Sequence, residues 1–405
     1  RDRLLSVLNN THLTSYTYGA YGIETITNER NQIKRFVYDQ LGNVIKIIDF
    51  DGLVTMHAYD RLSRLLTTTD AKGKQTEYVY DLLDRLIQET DGRIVLTYAY
   101  DPNGNPVQTD AQSDVSFKTT RKVYNAMNRV IEEIDVLGQG VQYTYDGARL
   151  LSLTDKNGHM TTYTYDIRGN MIRETLADGA YRTWSYDAVG NKTAETDTNG
   201  YTTSFIYDAN HNPVQIIDKE GNATNYVYDS MNRQVSSTSP LGYQEVYTYD
   251  LDGHITSQSV NGRVIETYVY DAYGNCIEET VNRLTTTYAY DAYDKRIEKC
   301  DPYGLITTYT YDAYHRLLKT HVNHVCSSSL TYDVYDNVLS ETDLYGETQI
   351  NQYDADLNLI VSTHHHLTTT YAYDLLNRKI KEEDSLGNCK EIIYDADANI
   401  IEEKV

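Results

Sequence analysis

The sequence predicts an all-β protein in which tandem hairpins of about 21 residues form one continuous antiparallel sheet. Three observations predict this fold class. A Tyr-Asp pair recurs along the chain, Thr and Tyr alternate before each pair, and turn residues follow about every ten positions. No window keeps the helical period of about 3.6 residues over three turns, so helix is the weaker alternative.

The recurring tyrosine, called here the marker tyrosine, defines eighteen units. Successive markers are 20 or 21 residues apart, except for one step of 24 between Tyr100 and Tyr124. The following residue is Asp in seventeen units and Asn125 in the remaining one. Such regularity indicates a repeat array rather than a set of separate domains. The markers are Tyr38, Tyr59, Tyr80, Tyr100, Tyr124, Tyr145, Tyr165, Tyr186, Tyr207, Tyr228, Tyr249, Tyr270, Tyr290, Tyr311, Tyr332, Tyr353, Tyr373 and Tyr394.

Each unit is predicted to contain two strands and two turns, as residues 161–179 illustrate. The alternation in 161–165 predicts the first strand, and 171–175 the second. The first turn follows the marker, because an Asp side chain accepts hydrogen bonds from N–H groups two residues on and Gly permits positive φ. The second turn lies near residues 178–179. The repeat markers predicted in this way include Tyr165, Asp166, Gly169 and Asn170, Tyr186, Asp187, Gly190 and Asn191, and Tyr270, Asp271, Gly274 and Asn275.

The positions around the marker predict how the sheet is stabilised. An aromatic residue usually stands two positions earlier, so both rings are expected on one face, where they would meet the rings of adjacent units. Four positions after the marker, Gly, Asn or Asp stands in twelve units, and these residues tolerate the left-handed region. Leu357 departs from this pattern, and the sequence offers no reason for it.

The predicted organisation has two parts. Residues 36–405 form the ribbon of about eighteen units, and residues 1–35 form a weakly patterned or degenerate leading repeat. The extra residues near 110–114 are predicted to lengthen one hairpin loop. The chain is expected to be a piece of a longer protein, and its N-terminus shows no signal-peptide pattern.

Composition excludes several classes of partner. The 59 acidic residues outnumber the 36 basic ones, giving a formal charge of −23. Nucleic-acid binding is not expected, because it requires clustered Lys and Arg. No stretch approaches the roughly 20 apolar residues of a membrane-spanning helix. The four cysteines are too few and too scattered to indicate a disulfide framework or a zinc site.

No residue cluster predicts catalysis, a cofactor or a metal ion. The Asp after each marker recurs in almost every unit, which favours a turn hydrogen bond over a catalytic acid or a calcium ligand. The histidines at 364–366 lie two units from His321 and His324, roughly 19 Å away at ~4.8 Å per strand, too far to share an ion. Residues 301–304, DPYG, are interpreted as an ordinary second turn. We therefore predict a protein that is not an enzyme.

The stretches TYTYDIRGN (162–170), YVYDAYGN (268–275) and YAYDLLNR (371–378) resemble the repeats of the RHS/YD-repeat family. The resemblance covers roughly residues 36–405. It implies a β-ribbon that spirals into part of a hollow shell, as in bacterial RHS and polymorphic toxins, the BC component of toxin complexes, and animal teneurins. It also implies that bacterial shells commonly enclose a toxic C-terminal domain.

Two functional hypotheses follow. The first is a non-catalytic structural wall of such a shell, enclosing a toxin or effector domain that lies outside this chain, in the same longer polypeptide or in a partner subunit. Such a protein is expected to be secreted or exposed at the cell surface, exported by a dedicated system. The alternative is an extracellular adhesion or recognition module that binds carbohydrate or a protein partner through its tyrosine-rich surface. Sugar stacking is then predicted at Tyr226 and Tyr247. Neither hypothesis specifies the cargo or which face of the sheet points inward.

Overall fold

The computed structural model describes residues 4–9 and 12–405. These residues form 39 β-strands and contain no helix. Each strand pairs with its neighbour in sequence, so the 39 strands make one continuous antiparallel sheet. The predicted fold class, all-β with tandem hairpins in a continuous sheet, is confirmed.

The strands are β1 (Ser6–Asn9), β2 (His12–Tyr18), β3 (Ile23–Thr27), β4 (Ile33–Tyr38), β5 (Val44–Ile48), β6 (Val54–Tyr59), β7 (Leu65–Thr69), β8 (Gln75–Tyr80), β9 (Leu86–Thr90), β10 (Val95–Tyr100), β11 (Pro106–Gln112), β12 (Phe117–Tyr124), β13 (Val130–Ile134), β14 (Gly140–Asp146), β15 (Arg149–Thr154), β16 (Met160–Tyr165), β17 (Met171–Thr175), β18 (Tyr181–Tyr186), β19 (Lys192–Thr196), β20 (Thr202–Tyr207), β21 (Pro213–Ile217), β22 (Ala223–Tyr228), β23 (Gln234–Thr238), β24 (Gln244–Tyr249), β25 (Ile255–Val260), β26 (Arg263–Tyr270), β27 (Cys276–Val281), β28 (Leu284–Tyr290), β29 (Arg296–Cys300), β30 (Ile306–Tyr311), β31 (Leu317–Val322), β32 (Val325–Tyr332), β33 (Val338–Asp343), β34 (Thr348–Tyr353), β35 (Leu359–His364), β36 (Leu367–Tyr373), β37 (Lys379–Asp384), β38 (Cys389–Tyr394) and β39 (Ile400–Lys404).

A β-bulge marks the end of most strands that carry a marker tyrosine. Between β16 and β17 the register shifts between Thr164 and Tyr165, and the marker Tyr165 then faces Met171. The same shift occurs before the marker in other units, for example before Tyr186. A bulge bends its strand and increases the local right-handed twist, and here it recurs once per repeat in most of the sheet.

The first turns adopt the predicted left-handed conformation four positions after the marker. Gly169 has a φ of 95° and Asn232 a φ of 60°. Residues that are less suited to this region adopt it as well, including Leu357 with a φ of 66°. The departure seen in the sequence at Leu357 therefore leaves the backbone of the turn unchanged.

Replacing Leu357 by asparagine is expected to stabilise the protein by about 0.5–1 kcal/mol, because a non-glycine residue with positive φ costs roughly 1 kcal/mol and Asn tolerates that region better. Gly190→Leu provides the control, because it places a leucine in the same left-handed region, at a φ of 96°. Nothing lies within 4 Å of a Cβ at Gly190, so the expected loss of about 1 kcal/mol reports φ alone. Urea unfolding at pH 7 measures both. A destabilised Leu357→Asn protein would contradict this account.

The sheet has almost no fully buried core. Among the described residues, Ile392 is the single hydrophobic side chain classed as buried, at 8% exposure. Marker tyrosines and the residues two positions before them are mostly half-buried, whereas the residue between them is mostly exposed, as Tyr163, Thr164 and Tyr165 illustrate. Stability therefore comes from contacts repeated in every unit, as in other repeat proteins.

The repeat contacts begin before the first marker predicted from sequence. Tyr18 lies at the end of β2, and its hydroxyl donates to the carbonyl of Leu4 at 2.7 Å. Tyr38 makes the equivalent bond to Ile23 at 2.6 Å. Gly19 follows Tyr18 in place of Asp, which hides this unit in the sequence pattern. The predicted boundary between residues 35 and 36 stays a prediction.

The chain divides into two compact units by its internal contacts. Unit 1 contains the described residues up to Asn128, together with Ile134–Gly138 and Tyr288–Val405. Unit 2 contains Arg129–Glu133 and Gln139–Thr287. Within the part of the chain that the structure describes, no helix is long and apolar enough to cross a membrane.

Candidate functional site

The Asp that follows each marker organises the first turn. Asp166 Oδ1 accepts hydrogen bonds from the backbone N–H groups of Arg168 and Asn170, both at 2.9 Å. Its Oδ2 accepts a third from Asn170 Nδ2 at 2.9 Å. The hydrogen bond predicted from the N–H two residues on is thus present, together with two others. Equivalent sets at 2.8–3.1 Å surround Asp187, with Asn191, and Asp271, with Asn275.

These hydrogen bonds keep the turn carboxylates ionised. The side-chain amide of Asn170 is the main cause that lowers the pKa of Asp166 below its ordinary value, and the backbone N–H groups add to it. At Asp187, desolvation raises the pKa, but the hydrogen bonds from Asn191, Val189 and Gly190 together outweigh it. A carboxyl with a lowered pKa is a poor proton donor at neutral pH. The geometry therefore supports a structural role for these residues.

In most units the marker hydroxyl connects the unit to the one before it. Tyr186 donates to the carbonyl of Met171 at 3.0 Å, and Tyr165 and Tyr270 make equivalent bonds at 2.9 Å. The pairing of β17 with β18 ends at Arg173, so the carbonyl of Met171 lies beyond the ladder. The phenol hydroxyl therefore gives this carbonyl a hydrogen-bond donor that the backbone of β18 does not supply.

Position five after the marker has a role that the sequence reasoning missed. It carries Asn or Arg in most units, and that side chain binds the turn Asp: Arg316 Nε donates to Asp312 Oδ2 at 2.7 Å. The guanidinium also lies over the next marker ring, 4.7 Å from the centroid of Tyr332. The signal available in the sequence was the Asn/Arg choice itself. Similar pairs are Arg85 with Tyr100, Arg233 with Tyr249 and Arg378 with Tyr394, at 4.6–4.8 Å.

These cation–π contacts replace the expected contact between rings of adjacent units. Neighbouring markers are two strands apart, roughly 9.6 Å, whereas aromatic pairs need about 4.5–7 Å. In the units that carry Arg, the guanidinium fills this gap and meets both the turn carboxylate and the ring. The marker, the turn Asp and position five therefore form one repeated structural motif.

The two tyrosines predicted to stack on sugars lie on second-neighbour strands of compact unit 2. Tyr226 is in β22 and Tyr247 in β24, and both are half-buried. The Tyr247 hydroxyl donates to Glu245 at 2.7 Å, and desolvation together with this bond raises its pKa to about 12. Carbohydrate binding through these rings stays a prediction, which a glycan array with and without Tyr226→Ala would test.

Compact unit 1, defined above by its internal contacts, contains another recurrent set of interactions, which we call the seam. Along the seam, second turns of residues 28–118 contact first turns of residues 291–377. In three successive units the facing side chains are 264 residues apart in sequence. The facing pairs are Arg30 with Asp294, Asp51 with His315 at 2.9 Å, and Lys72 with Asp336.

The seam also buries cations on aromatic rings. Lys72 lies 5.8 Å from the ring centroid of Tyr314, and Lys74 and Arg93 lie 5.1 and 4.9 Å from that of Tyr335. Arg93 further donates to the carbonyl of Ala355. The two edges of the ribbon are thus joined by side chains, without strand pairing between the facing turns.

Comparison with known proteins identifies the repeat. The family model described as teneurin YD-shell matches residues 53–233 and 207–342, which together span more than half of the chain. No curated protein sequence matches the chain.

Solved structures share the fold at low sequence identity. The structure of the Photorhabdus luminescens Tc holotoxin pore with a substituted TccC3 aligns with a TM-score of 0.58 and 14% identity, covering 96% of this chain and 26% of that one. The crystal structure of TcdB2–TccC3 aligns with a TM-score of 0.52 and 14% identity, covering 97% and 31%. A TcdB2–TccC3–TEV crystal structure gives 0.53 and 13%, covering 97% and 33%. The chain therefore spans about a third or less of these three structures.

Proposed function

Because the chain belongs to the teneurin YD-shell family, within the RHS/YD-repeat proteins, its role is to form shell wall, and we propose that this wall encloses a toxin or effector polypeptide lying outside residues 1–405. The wall acts sterically. It separates the enclosed polypeptide from proteases and from its targets until delivery. The proposal includes a secreted or surface-exposed location and no catalytic role for the chain itself.

One observation carries this proposal: the polar residues that recur along the chain make their contacts with other residues of the sheet. The turn Asp binds its own turn, and the marker hydroxyl binds the preceding unit. In unit 1 the charged second turns bind the first turns of a distant segment, as Arg30 does with Asp294. Such contacts build a partition that is continuous along the strands and also across the seam.

The matched structures support a separate cargo. A TcdB2–TccC3 structure without the hypervariable C-terminal region aligns with 97% of this chain at a TM-score of 0.51. The part of that complex that this chain resembles is therefore distinct from its hypervariable region. By analogy, we propose that variable cargo adjoins the repeat ribbon in the longer polypeptide or is supplied by a partner subunit.

Limited proteolysis of the full-length gene product tests the proposal. The cargo segment is expected to resist protease in the native protein and to be cleaved at least tenfold faster when expressed alone. Opening the seam with Arg30→Glu and Lys72→Glu, which face Asp294 and Asp336, should expose it. Lys219→Glu is the matched control, because Lys219 lies in a second turn of unit 2 outside the seam.

Two results would count against enclosure. A cargo segment cleaved equally fast in the native protein and alone would show that the wall gives no protection. A seam variant that leaves cleavage unchanged, while its seam contacts are demonstrably lost, would show that protection does not depend on this wall.

A further inference from the structure

The two irregularities of the repeat meet at one point of the seam. The first is the 24-residue step between Tyr100 and Tyr124: its extra residues lengthen strands β11 and β12, and the loop between them, 113–116, is not longer than other second turns, contrary to the prediction for residues 110–114. The second is the first turn at 354–357, which carries Asp356 where other units carry mostly an apolar residue, followed by Leu357. Ser116 at the end of this loop donates to Asp356 Oδ2 at 2.9 Å, so each irregularity supplies one half of a single contact.

Asp356 is the most enclosed carboxylate of the seam pairs, with a side chain only 8% exposed. Lys118 Nζ lies 2.6 Å from its Oδ2 and also donates to Asn377 Oδ1 at 2.8 Å, in the next first turn. Burial acts to raise the pKa of Asp356, but Lys118 and Ser116 outweigh it and the pKa lies below the ordinary value. Lys118, in β12, thus joins two consecutive first turns to the lengthened hairpin of β11 and β12.

A repeat array needs contacts that distinguish one alignment of its edges from another, because its units are nearly equivalent. A shift of the seam by one unit moves the facing edges by two strands, roughly 9.6 Å, and places similar turns opposite each other. The 24-residue step occurs once, and the first turns one unit on either side of Asp356 carry Tyr335 and Leu376 at this position, so a shift by one unit leaves Lys118 without the carboxylate. A buried ion pair contributes little net stability, and a buried polar residue fixes the register of some coiled coils, so a pair of this kind is suited to select one alignment.

The order of charges along the seam opposes a shift as well. The second turns carry Arg30, Asp51 and Lys72, and the facing first turns carry Asp294, His315 and Asp336. A shift of one unit in either direction places Asp51 opposite Asp294 or Asp336. Like charges in contact are unfavourable, so the native alignment avoids the repulsion that either neighbouring alignment incurs.

We propose that Ser116, Lys118 and Asp356 form a register lock, which determines which segment of the ribbon lies against which across the seam. The charge order at Asp51 reinforces it. The lock accounts for the irregular step and for the unusual turn at 354–357, neither of which the repeat itself requires.

Cross-linking measures the alignment directly. In the full chain with its four cysteines replaced by serine, Lys72→Cys with Asp336→Cys reports the native alignment. Lys72→Cys with His315→Cys, or with Leu357→Cys, reports a shift of one unit either way. Each pair is treated with a short bis-maleimide in an Asp51→Asn background, where the charge order no longer opposes a shift. With the lock intact, the native pair should react at least tenfold faster than either shifted pair.

Removing the lock with Ser116→Ala, Lys118→Met and Asp356→Leu is expected to raise the shifted products about tenfold. The matched control, Arg30→Met with Asp294→Leu, removes a regular seam pair and should keep the native alignment. Asp356→Asn preserves the size of the side chain and should give an intermediate result if the triple variant fails to fold. The proposal is overturned if both lock variants keep the native alignment, or if the control shifts as much as they do.

Discussion

Replacing Asp312 by alanine is expected to destabilise the protein by about 3 kcal/mol, the largest effect of any single turn substitution proposed here. The side chain is about one-seventh exposed, at 15%, and accepts from the backbone N–H groups of Tyr314 and Arg316 and from Arg316 Nε. Its loss leaves these donors without their acceptor and removes one of the contacts that position the guanidinium over Tyr332; the bonds of Arg316 to the Asp333 carbonyl and to Asp336 remain. Urea unfolding at pH 7 should show a lower midpoint.

Asp312→Asn is the matched control. One unit already uses Asn at this position, and Asn125 Oδ1 accepts from the N–H of Met127 at 2.9 Å. The amide should therefore retain the backbone bonds and lose mainly the ionic contact with Arg316, at a cost of about 1 kcal/mol. An alanine variant as stable as the native protein would show that the carboxylate does not organise the turn.

Acidification is expected to unfold the whole sheet cooperatively below about pH 4. The folded-state pKa values of many turn carboxylates are lowered, so their contribution is fully present above the unfolded pKa near 3.8 and is lost as pH falls through the folded values. Because the same linkage repeats along the chain, the small contributions add. The first-turn residues affected are Asp39, Asp60, Asp81, Asp101, Asp166, Asp187, Asp208, Asp229, Asp250 and Asp312.

Far-ultraviolet circular dichroism between pH 7 and pH 2 measures this transition. A triple variant, Asp187→Asn, Asp208→Asn and Asp229→Asn, should be less stable at pH 7 and show a weaker dependence on pH, because amides do not titrate. The formal charge of −23 contributes in the opposite direction, since its repulsion decreases as carboxylates are protonated. A sheet signal unchanged down to pH 2.5, or lost already above pH 5, would contradict the linkage.

The sequence by itself determined the hairpin unit, because its contacts are local. The turn Asp bonds to residues two and four positions on, and the left-handed position belongs to the same turn, as Asp166 and Gly169 show. Each residue type could therefore be connected to its conformation without knowledge of the rest of the chain. The same reasoning named the Asn at position five as a repeat marker, as at Asn170, but missed its side-chain bond to the turn Asp. It also missed the contact of an Arg at this position with the next marker ring and the acceptor of the marker hydroxyl, since these two depend on the neighbouring unit.

Only the tertiary structure decided which units of the ribbon lie side by side. The facing pairs are 264 residues apart, and in an array of similar units the sequence pattern fits many alignments almost equally well. Which of these alignments forms depends on the few residues that depart from the repeat. The contact between Ser116 and Asp356 at 2.9 Å could not be predicted, because nothing local relates a lengthened hairpin to a turn 240 residues away.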